Sequence, residues 1–100
     1  MKILLRVALA TLCAGATGAS LADPALARSY AATCASCHGT GGVAKAPMVS
    51  LAGMSKEQIV AQMKAFKDGS RPATIMHQIA KGYTDEQVAL IAGYFAEQKR

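Results

Sequence analysis

The 100-residue sequence predicts an all-α domain. Three observations support this prediction. No segment shows strand-like alternation of useful length, several segments place apolar residues at helical spacing, and the breaks between them hold residues that cap helices. Hydrophobic residues make up 52% of the chain and aromatic residues only 5%.

The first helix is predicted from Ala25 to Cys37. This segment is rich in alanine, and Pro24 directly before it suits a first helical turn. Residues 39–42 read Gly-Thr-Gly-Gly and should end the helix. An irregular loop is then expected up to Gly53, because no apolar periodicity resumes before that point.

The second helix is predicted from Ser55 to Lys67. Ser55 and Gln58 stand at the spacing of a capping box, in which each residue satisfies a free backbone amide of the other. The apolar residues that follow recur at helical spacing and should form one buried stripe, made of Ile59, Met63 and Phe66.

Two more helices complete the domain. A short third helix is expected from Ala73 to Lys81, after the Pro72 break, with Gly82 as its C-terminal cap. Thr84 opens a second capping box, and the last helix is predicted to run to about Gln98. Its core-facing residues should be Val88, Ile91 and Phe95.

Cys34, Cys37 and His38 form a C-x-x-C-H motif, the attachment signature of a c-type haem. Each thiol adds across one haem vinyl group, and the histidine supplies an axial nitrogen to the iron. A thioredoxin-type redox disulfide would require a βαβ scaffold, which the sequence does not predict. A zinc site would require about four ligands, whereas the chain beyond residue 22 has two cysteines and two histidines.

Residues 1–22 resemble a secretory signal peptide, and residues 23–100 are predicted to form a single mature domain. The leader opens with basic residues and continues through an apolar run shorter than the ~20 residues that span a bilayer. An uncleaved anchor is therefore the less favoured alternative. Cleavage is expected before Asp23, with residues 25–27 a weaker site, and it would remove the unpaired Cys13. These features predict a periplasmic protein without stable membrane insertion.

The mature domain of about 78 residues is small enough to need a covalent or metal staple, and a haem would provide one. The formal net charge of +5 falls to about +3 when Lys2 and Arg6 leave with the leader. This modest charge favours acidic partners. The chain has no basic run and no tryptophan, so we expect no nucleic-acid binding.

The second axial ligand has five candidates: Met48, Met54, Met63, Met76 and His77. Met63 belongs to the apolar stripe of the second helix, which favours a core role. Met48 and Met54 lie in the loop that leaves His38, too near in sequence to turn easily around the porphyrin. Met76 is far enough along the chain to reach the opposite face, and His77 beside it would give bis-histidine ligation.

From Cys34 to Gln98 the chain resembles small class I c-type cytochromes. It looks most like cytochrome c-553-like proteins related to the haem subunit of flavocytochrome c sulfide dehydrogenase. The segments that carry the resemblance are residues 34–42, Pro47, residues 51–53 and residues 71–86. It implies a class I cytochrome c fold, three to four helices wrapped around one covalent haem c, with Met76 as the distal ligand.

The resemblance implies further roles. The backbone carbonyl of Pro47 should accept a hydrogen bond from the proximal imidazole, and Arg71 and Tyr83 are candidates for contact with haem propionates. Tyr30 should face the last helix near Ile91 or Tyr94.

Histidine and methionine together saturate the iron, which disfavours substrate chemistry at the metal. The sequence holds no other catalytic constellation, so we expect an electron-transfer protein rather than an enzyme. Its partners should be redox proteins, with a flavoprotein sulfide dehydrogenase subunit as the sharpest candidate. The alternative is a haem-based sensor or ligand-binding protein in which Met76 is displaceable.

Overall fold

The structure, a computed structural model, describes residues 24–100, and all regular structure in this range is helical. The predicted leader lies outside the described residues. Within residues 24–100 no helix combines the length and apolar character needed to cross a membrane. The helices are α1 Pro24–Ala32, α2 Ala35–His38, α3 Lys56–Asp68, α4 Met76–Lys81 and α5 Asp85–Ala96, with a single 3₁₀ turn at Thr40–Gly42.

The first predicted helix is interrupted, and this corrects the expectation of one helix from Ala25 to Cys37. The hydroxyl of Thr33 donates to the carbonyl of Tyr30 at 2.9 Å. The amide of Cys34 bonds to the carbonyl of Ala31, only three residues back, at 3.0 Å. Such local side-chain bonds and tight turns compete with the helical ladder. The haem motif therefore starts a separate short helix, α2.

The helices α3 and α5 begin where their caps predict. Ser55 Oγ accepts the Gln58 amide at 3.1 Å. At α5 the box is reciprocal, since Thr84 Oγ1 accepts the Gln87 amide at 3.2 Å and Gln87 Oε1 accepts the Thr84 amide at 2.9 Å. Both predicted helices are confirmed, with ends one or two residues from those expected.

The helix α4 is shorter than predicted, because it begins at Met76 rather than Ala73. The two residues before Met76, Thr74 and Ile75, are β-branched and therefore lose side-chain freedom in a helix. Gly82 follows the helix as expected. Its φ of −78° is right-handed, however, so the left-handed glycine cap that Gly82 suggests does not form.

The core lies between α1, α3, α4 and α5. α1 packs on α5, and α3 packs on both α4 and α5. Tyr30 lies against this core and accepts a hydrogen bond from Gln87 of α5 at 3.3 Å, which confirms that it faces the last helix. The predicted stripes are confirmed as well, since the buried residues include Ile59, Met63, Val88, Ile91 and Phe95, and Phe66 packs against them.

The loop between α2 and α3 is closed at the core by Gly42. Its carbonyl accepts the amides of Leu51 at 2.8 Å and Ala52 at 3.1 Å. Gly42 has a φ of +80°, and a Cβ there would lie 2.7 Å from the ring of Phe95. Both the conformation and the space therefore require glycine. This closure holds residues 43–50 as one loop beside the haem motif.

Candidate haem-binding site

The helix α2 places Cys34 and Cys37 one turn apart at the start of the site. The amide of Cys37 bonds to the carbonyl of Cys34 at 3.3 Å, and both thiols are free. Residues three apart in a helix share a face, so the two sulfurs project to the same side. Burial raises the pKa of the Cys34 thiol, against a smaller opposing effect of a hydrogen bond with Thr33.

His38 is held by its ring nitrogen. Nδ1 lies 2.6 Å from the carbonyl oxygen of Val49. A carbonyl can only accept, so Nδ1 carries a proton, and in the neutral imidazole Nε2 then keeps its lone pair. This is the tautomer that a metal-binding imidazole requires, and the carbonyl also fixes the plane of the ring.

The carbonyl that holds His38 corrects the expectation for Pro47, because Val49 supplies it. Two bonds shape this part of the loop: the amide of Met48 donates to the carbonyl of Lys45 at 3.0 Å, and the amide of Ala44 donates to Ser50 Oγ at 2.9 Å. They turn the chain so that the carbonyl two residues after Pro47 reaches the imidazole. Every residue carries a carbonyl, so no residue type in the sequence could have identified this one.

Gly39 makes the turn that separates His38 from the following loop. Its φ of +84° and ψ of 159° lie in a region essentially restricted to glycine. A Cβ at this position would stand 1.9 Å from the carbonyl oxygen of Val43. The direction of the chain just after His38 therefore depends on the absence of a side chain at Gly39.

The four candidate methionines differ in how much of each side chain is exposed. Met54 and Met63 are buried members of the hydrophobic core, at 9% and 8% exposure. Met48 is 44% exposed in the loop beyond His38. Met76 is half-buried at the first residue of α4, where it packs against the core cluster from its edge.

His77 has surroundings different from those of its neighbour Met76. It lines an open groove of about 340 Å³ together with Phe66, Arg71 and Lys81. Its Nδ1 atom is buried and has no hydrogen-bond partner. The adjacent residues Met76 and His77 thus contribute to different parts of the molecule.

The described residues fit a haem. Nε2 of His38 is left available, and the thiols of Cys34 and Cys37 are unpaired. Large apolar side chains are exposed in the two segments that contain His38 and Met76, where a porphyrin would cover them: Val43 at 49%, Met48 at 44%, Val49 at 57% and Ile75 at 55%. The zinc alternative needs about four ligands. Among residues 24–100, no group of three or more His, Cys, Asp or Glu side chains is placed to hold a metal ion.

Arg71 and Tyr83, the candidates for propionate contacts, both have protein partners. The guanidinium of Arg71 lies 5.0 Å from the ring centroid of Phe66, a cation–π distance. The hydroxyl of Tyr83 lies 2.7 Å from Thr33 Oγ1, directly before the haem motif. The sequence did not identify Thr33 as the partner of Tyr83, because a lone threonine before the motif has no distinguishing pattern. Contact with propionates stays a prediction.

Fold and site together define a c-type cytochrome. Residues 21–95 match the family model described as cytochrome C oxidase, cbb3-type, subunit III. The chain belongs to this family of cytochromes c, whose cofactor is haem c and whose members transfer electrons. The predictions of an all-α cytochrome fold and of an electron-transfer protein rather than an enzyme are confirmed at this level.

Several cytochromes are similar to this chain. The cytochrome subunit of sulfide dehydrogenase from Chlorobaculum tepidum is 48% identical over 63 residues, covering 63% of this chain and 57% of that protein. Cytochrome c-554(548) from Halomonas halodenitrificans is 37% identical over 81 residues, covering 77% and 98%. Cytochrome c4 from Pseudomonas aeruginosa is 39% identical over 88 residues, covering 85% and 44%. The chain thus spans about half the length of the first and third relatives and nearly all of the second.

Proposed function

We propose that the protein carries one covalent haem c, bonded to Cys34 and Cys37, with His38 and Met76 as axial ligands to the iron. In this form it transfers single electrons between redox proteins outside the cytoplasmic membrane. The observation that carries the proposal is the hydrogen bond between His38 Nδ1 and the carbonyl of Val49, which leaves Nε2 free as a ligand.

The contacts of His38 orient its imidazole for ligation of the iron. The Val49 carbonyl holds the imidazole in one tautomer and one plane, and it makes Nε2 a more basic ligand. The loop that carries this carbonyl is closed by Gly42 at the core, so the ring orientation is tied to the packing of Phe95. Little rearrangement is then required when the oxidation state changes.

Ligation by Met76 is supported by its position and by the burial of two of the other candidate methionines. Met54 and Met63 fill the core, where their removal would leave cavities. Met76 lies at the edge of the core beside the exposed Ile75. A thioether ligand favours the ferrous state and raises the reduction potential.

The bound haem would supply one-electron chemistry, and a saturated iron would leave no position for a substrate. His38 and Met76 would hold the iron, and apolar side chains of the chain would cover the porphyrin and restrict water. Electron transfer of this kind requires only brief contact through a small interface near the haem edge.

Location outside the cytoplasmic membrane is supported by the sequence of residues 1–22, which resembles a secretory leader. A periplasmic protein would then begin at Asp23 in its mature form. The mass of the purified protein tests this directly, because loss of residues 1–22 and gain of one haem both change it by known amounts.

For the partner, we propose a flavoprotein dehydrogenase that oxidises an inorganic sulfur compound. The name of the Chlorobaculum tepidum relative, the cytochrome subunit of sulfide dehydrogenase, supports this choice. Its similarity to this chain covers 57% of that protein, so the partner remains part of the proposal.

Carbon monoxide tests the saturated iron. Added to the reduced protein at neutral pH, it should leave the visible spectrum unchanged, since both axial positions are filled. Rapid formation of a carbon monoxide complex would contradict the proposal and support the alternative, a haem-based sensor or ligand-binding protein with a displaceable Met76.

A further inference from the structure

A hydrogen bond joins Tyr83 to Thr33 across 50 residues of sequence, with 2.7 Å between the two hydroxyl oxygens. Its direction follows from the other bond of Thr33. The Thr33 hydroxyl donates its proton to the carbonyl of Tyr30 at 2.9 Å. A hydroxyl has one proton, so Thr33 Oγ1 must accept and Tyr83 must donate.

The bond connects the segment that holds the attachment residues with the segment that follows α4. Thr33 directly precedes Cys34, the first attachment residue. Tyr83 follows α4 by two positions, and Met76 is the first residue of α4. One end of the bond thus belongs to the proximal segment, and the other belongs to the distal segment.

Tyr83 is itself held from several sides. Its ring is half-buried and packs against the core cluster. Lys67 of α3 donates to its backbone carbonyl, and the same ammonium lies 3.7 Å from the carboxylate of Asp85. Tyr83 is therefore a fixed point from which its hydroxyl reaches Thr33.

The packing of the helices explains why this bond affects the position of α4. α4 packs on α3, whereas α1 packs on α5. A helix of six residues has little stability of its own, so its position depends on tertiary contacts. The bond from Tyr83 ties the end of α4 to the end of α1.

We propose that the hydrogen bond between Tyr83 and Thr33 acts as a clasp that holds the Met76 segment against the haem-attachment segment. The clasp disfavours release of Met76 from the iron, which makes Tyr83 and Thr33 positioning residues for the distal ligand. This inference rests on the proposed ligation by Met76.

Exogenous imidazole provides the measurement, because it binds ferric iron only after Met76 has left. Its apparent affinity therefore scales with the fraction of protein in which the methionine is detached. Titration of the ferric holoprotein is followed by loss of the far-red sulfur-to-iron charge-transfer band. One net hydrogen bond corresponds to a change of about two- to ten-fold in such an equilibrium.

Tyr83→Phe removes only the hydroxyl, and Thr33 keeps its bond to Tyr30. We expect Tyr83→Phe to bind imidazole about two- to ten-fold more tightly than the parent protein. Thr33→Val should produce a similar change, and Thr33→Ser should restore the parent affinity. The double variant of Tyr83→Phe and Thr33→Val should show no further increase, because both substitutions remove the same bond.

Tyr30→Phe is the matched control. It removes a tyrosine hydroxyl that links α1 to Gln87 of α5 and leaves the bond between Tyr83 and Thr33 in place. The midpoint temperature of thermal unfolding of Tyr30→Phe should fall, while its affinity for imidazole stays unchanged. An equal increase of imidazole affinity in Tyr30→Phe would overturn the clasp by showing a general effect of stability.

The ligation by Met76 and the clasp are overturned by different results. If the charge-transfer band survives Met76→Ala, the ligand assignment is wrong and the clasp falls with it. If the band requires Met76 but Tyr83→Phe leaves the imidazole affinity unchanged, only the clasp is overturned.

Discussion

The imidazole of His38 and the backbone carbonyl of Val49 form a hydrogen bond of 2.6 Å across eleven residues. The loop that carries the carbonyl is closed at its base by the two amides that bond to Gly42. Orientation of the proximal ring therefore depends on a backbone turn that is itself packed on Phe95. Stability of the core and geometry of the site are coupled through this loop.

Gly42→Ala should reveal this coupling. A side chain at a left-handed φ costs about 1–2 kcal/mol. The new methyl group would also meet the Phe95 ring and the Ala52 amide, and overpacking of this kind costs a further 1–3 kcal/mol, roughly. We expect a clear fall in the free energy of unfolding of the holoprotein, measured by denaturant titration.

Gly69→Ala is the matched control for this prediction. Gly69 has a φ of +79°, almost that of Gly42, but a Cβ added at Gly69 would meet no other atom within 4 Å. The free energy of unfolding of Gly69→Ala should therefore fall only by the cost of a side chain in the left-handed backbone conformation. Equal losses in the two variants would mean that the contact with Phe95 does not limit the loop.

Covalent attachment is tested by Cys34→Ala and Cys37→Ala. Cys34 is the N-cap of α2 and Cys37 lies in its single turn, and each thiol should form one thioether bond. Acid–acetone extraction should leave the haem on the parent polypeptide, and each substitution should sharply lower the yield of holoprotein. The protein that remains should be poorly folded, because a domain of about 78 residues without a porphyrin has a marginal core.

Haem that extracts freely from the parent protein would contradict attachment. Lys64→Gln, a change of an exposed residue on α3, is a suitable control. It should leave both the yield and the extraction behaviour of the holoprotein unchanged, because surface substitutions have small effects on stability.

Much of this architecture could be predicted from local signals. Ser55 and Thr84 begin α3 and α5 because each satisfies a backbone amide that helix formation leaves free. Apolar residues at helical spacing identified most of the core, including Phe95. The haem motif is likewise local, since its chemistry depends on five consecutive residues.

The features that could not be predicted depend on contacts between distant segments. The break at Thr33 is stabilised in part by Tyr83, 50 residues away. The carbonyl that holds His38 is chosen by the turn of the loop rather than by residue type.

Salt should slow electron transfer to an acidic partner. Lys45, Lys56, Lys64 and Lys81 are exposed, whereas Lys67 is engaged by Tyr83 and Asp85. Screening shortens electrostatic attraction to about 8 Å at physiological ionic strength, so the second-order rate constant should fall as salt rises. Stopped-flow reduction at several ionic strengths measures this dependence.

Comparison of Lys45→Gln with Lys64→Gln locates the docking face. Lys45 lies in the loop whose Val49 carbonyl bonds to His38, and Lys64 lies on α3. We expect Lys45→Gln to reduce the rate constant more at low salt. A rate that does not change with salt would contradict electrostatic docking and indicate an apolar interface, as in a permanently bound subunit.

The central claim is that His38 and Met76 hold the haem iron, and the ferric far-red spectrum of Met76→Ala tests it most directly. A sulfur-to-iron charge-transfer band should be present in the parent protein, retained in His77→Ala and absent in Met76→Ala. Loss of the band in Met76→Ala alone is the predicted result. A band that persists in Met76→Ala, or a parent protein without it, would contradict the account.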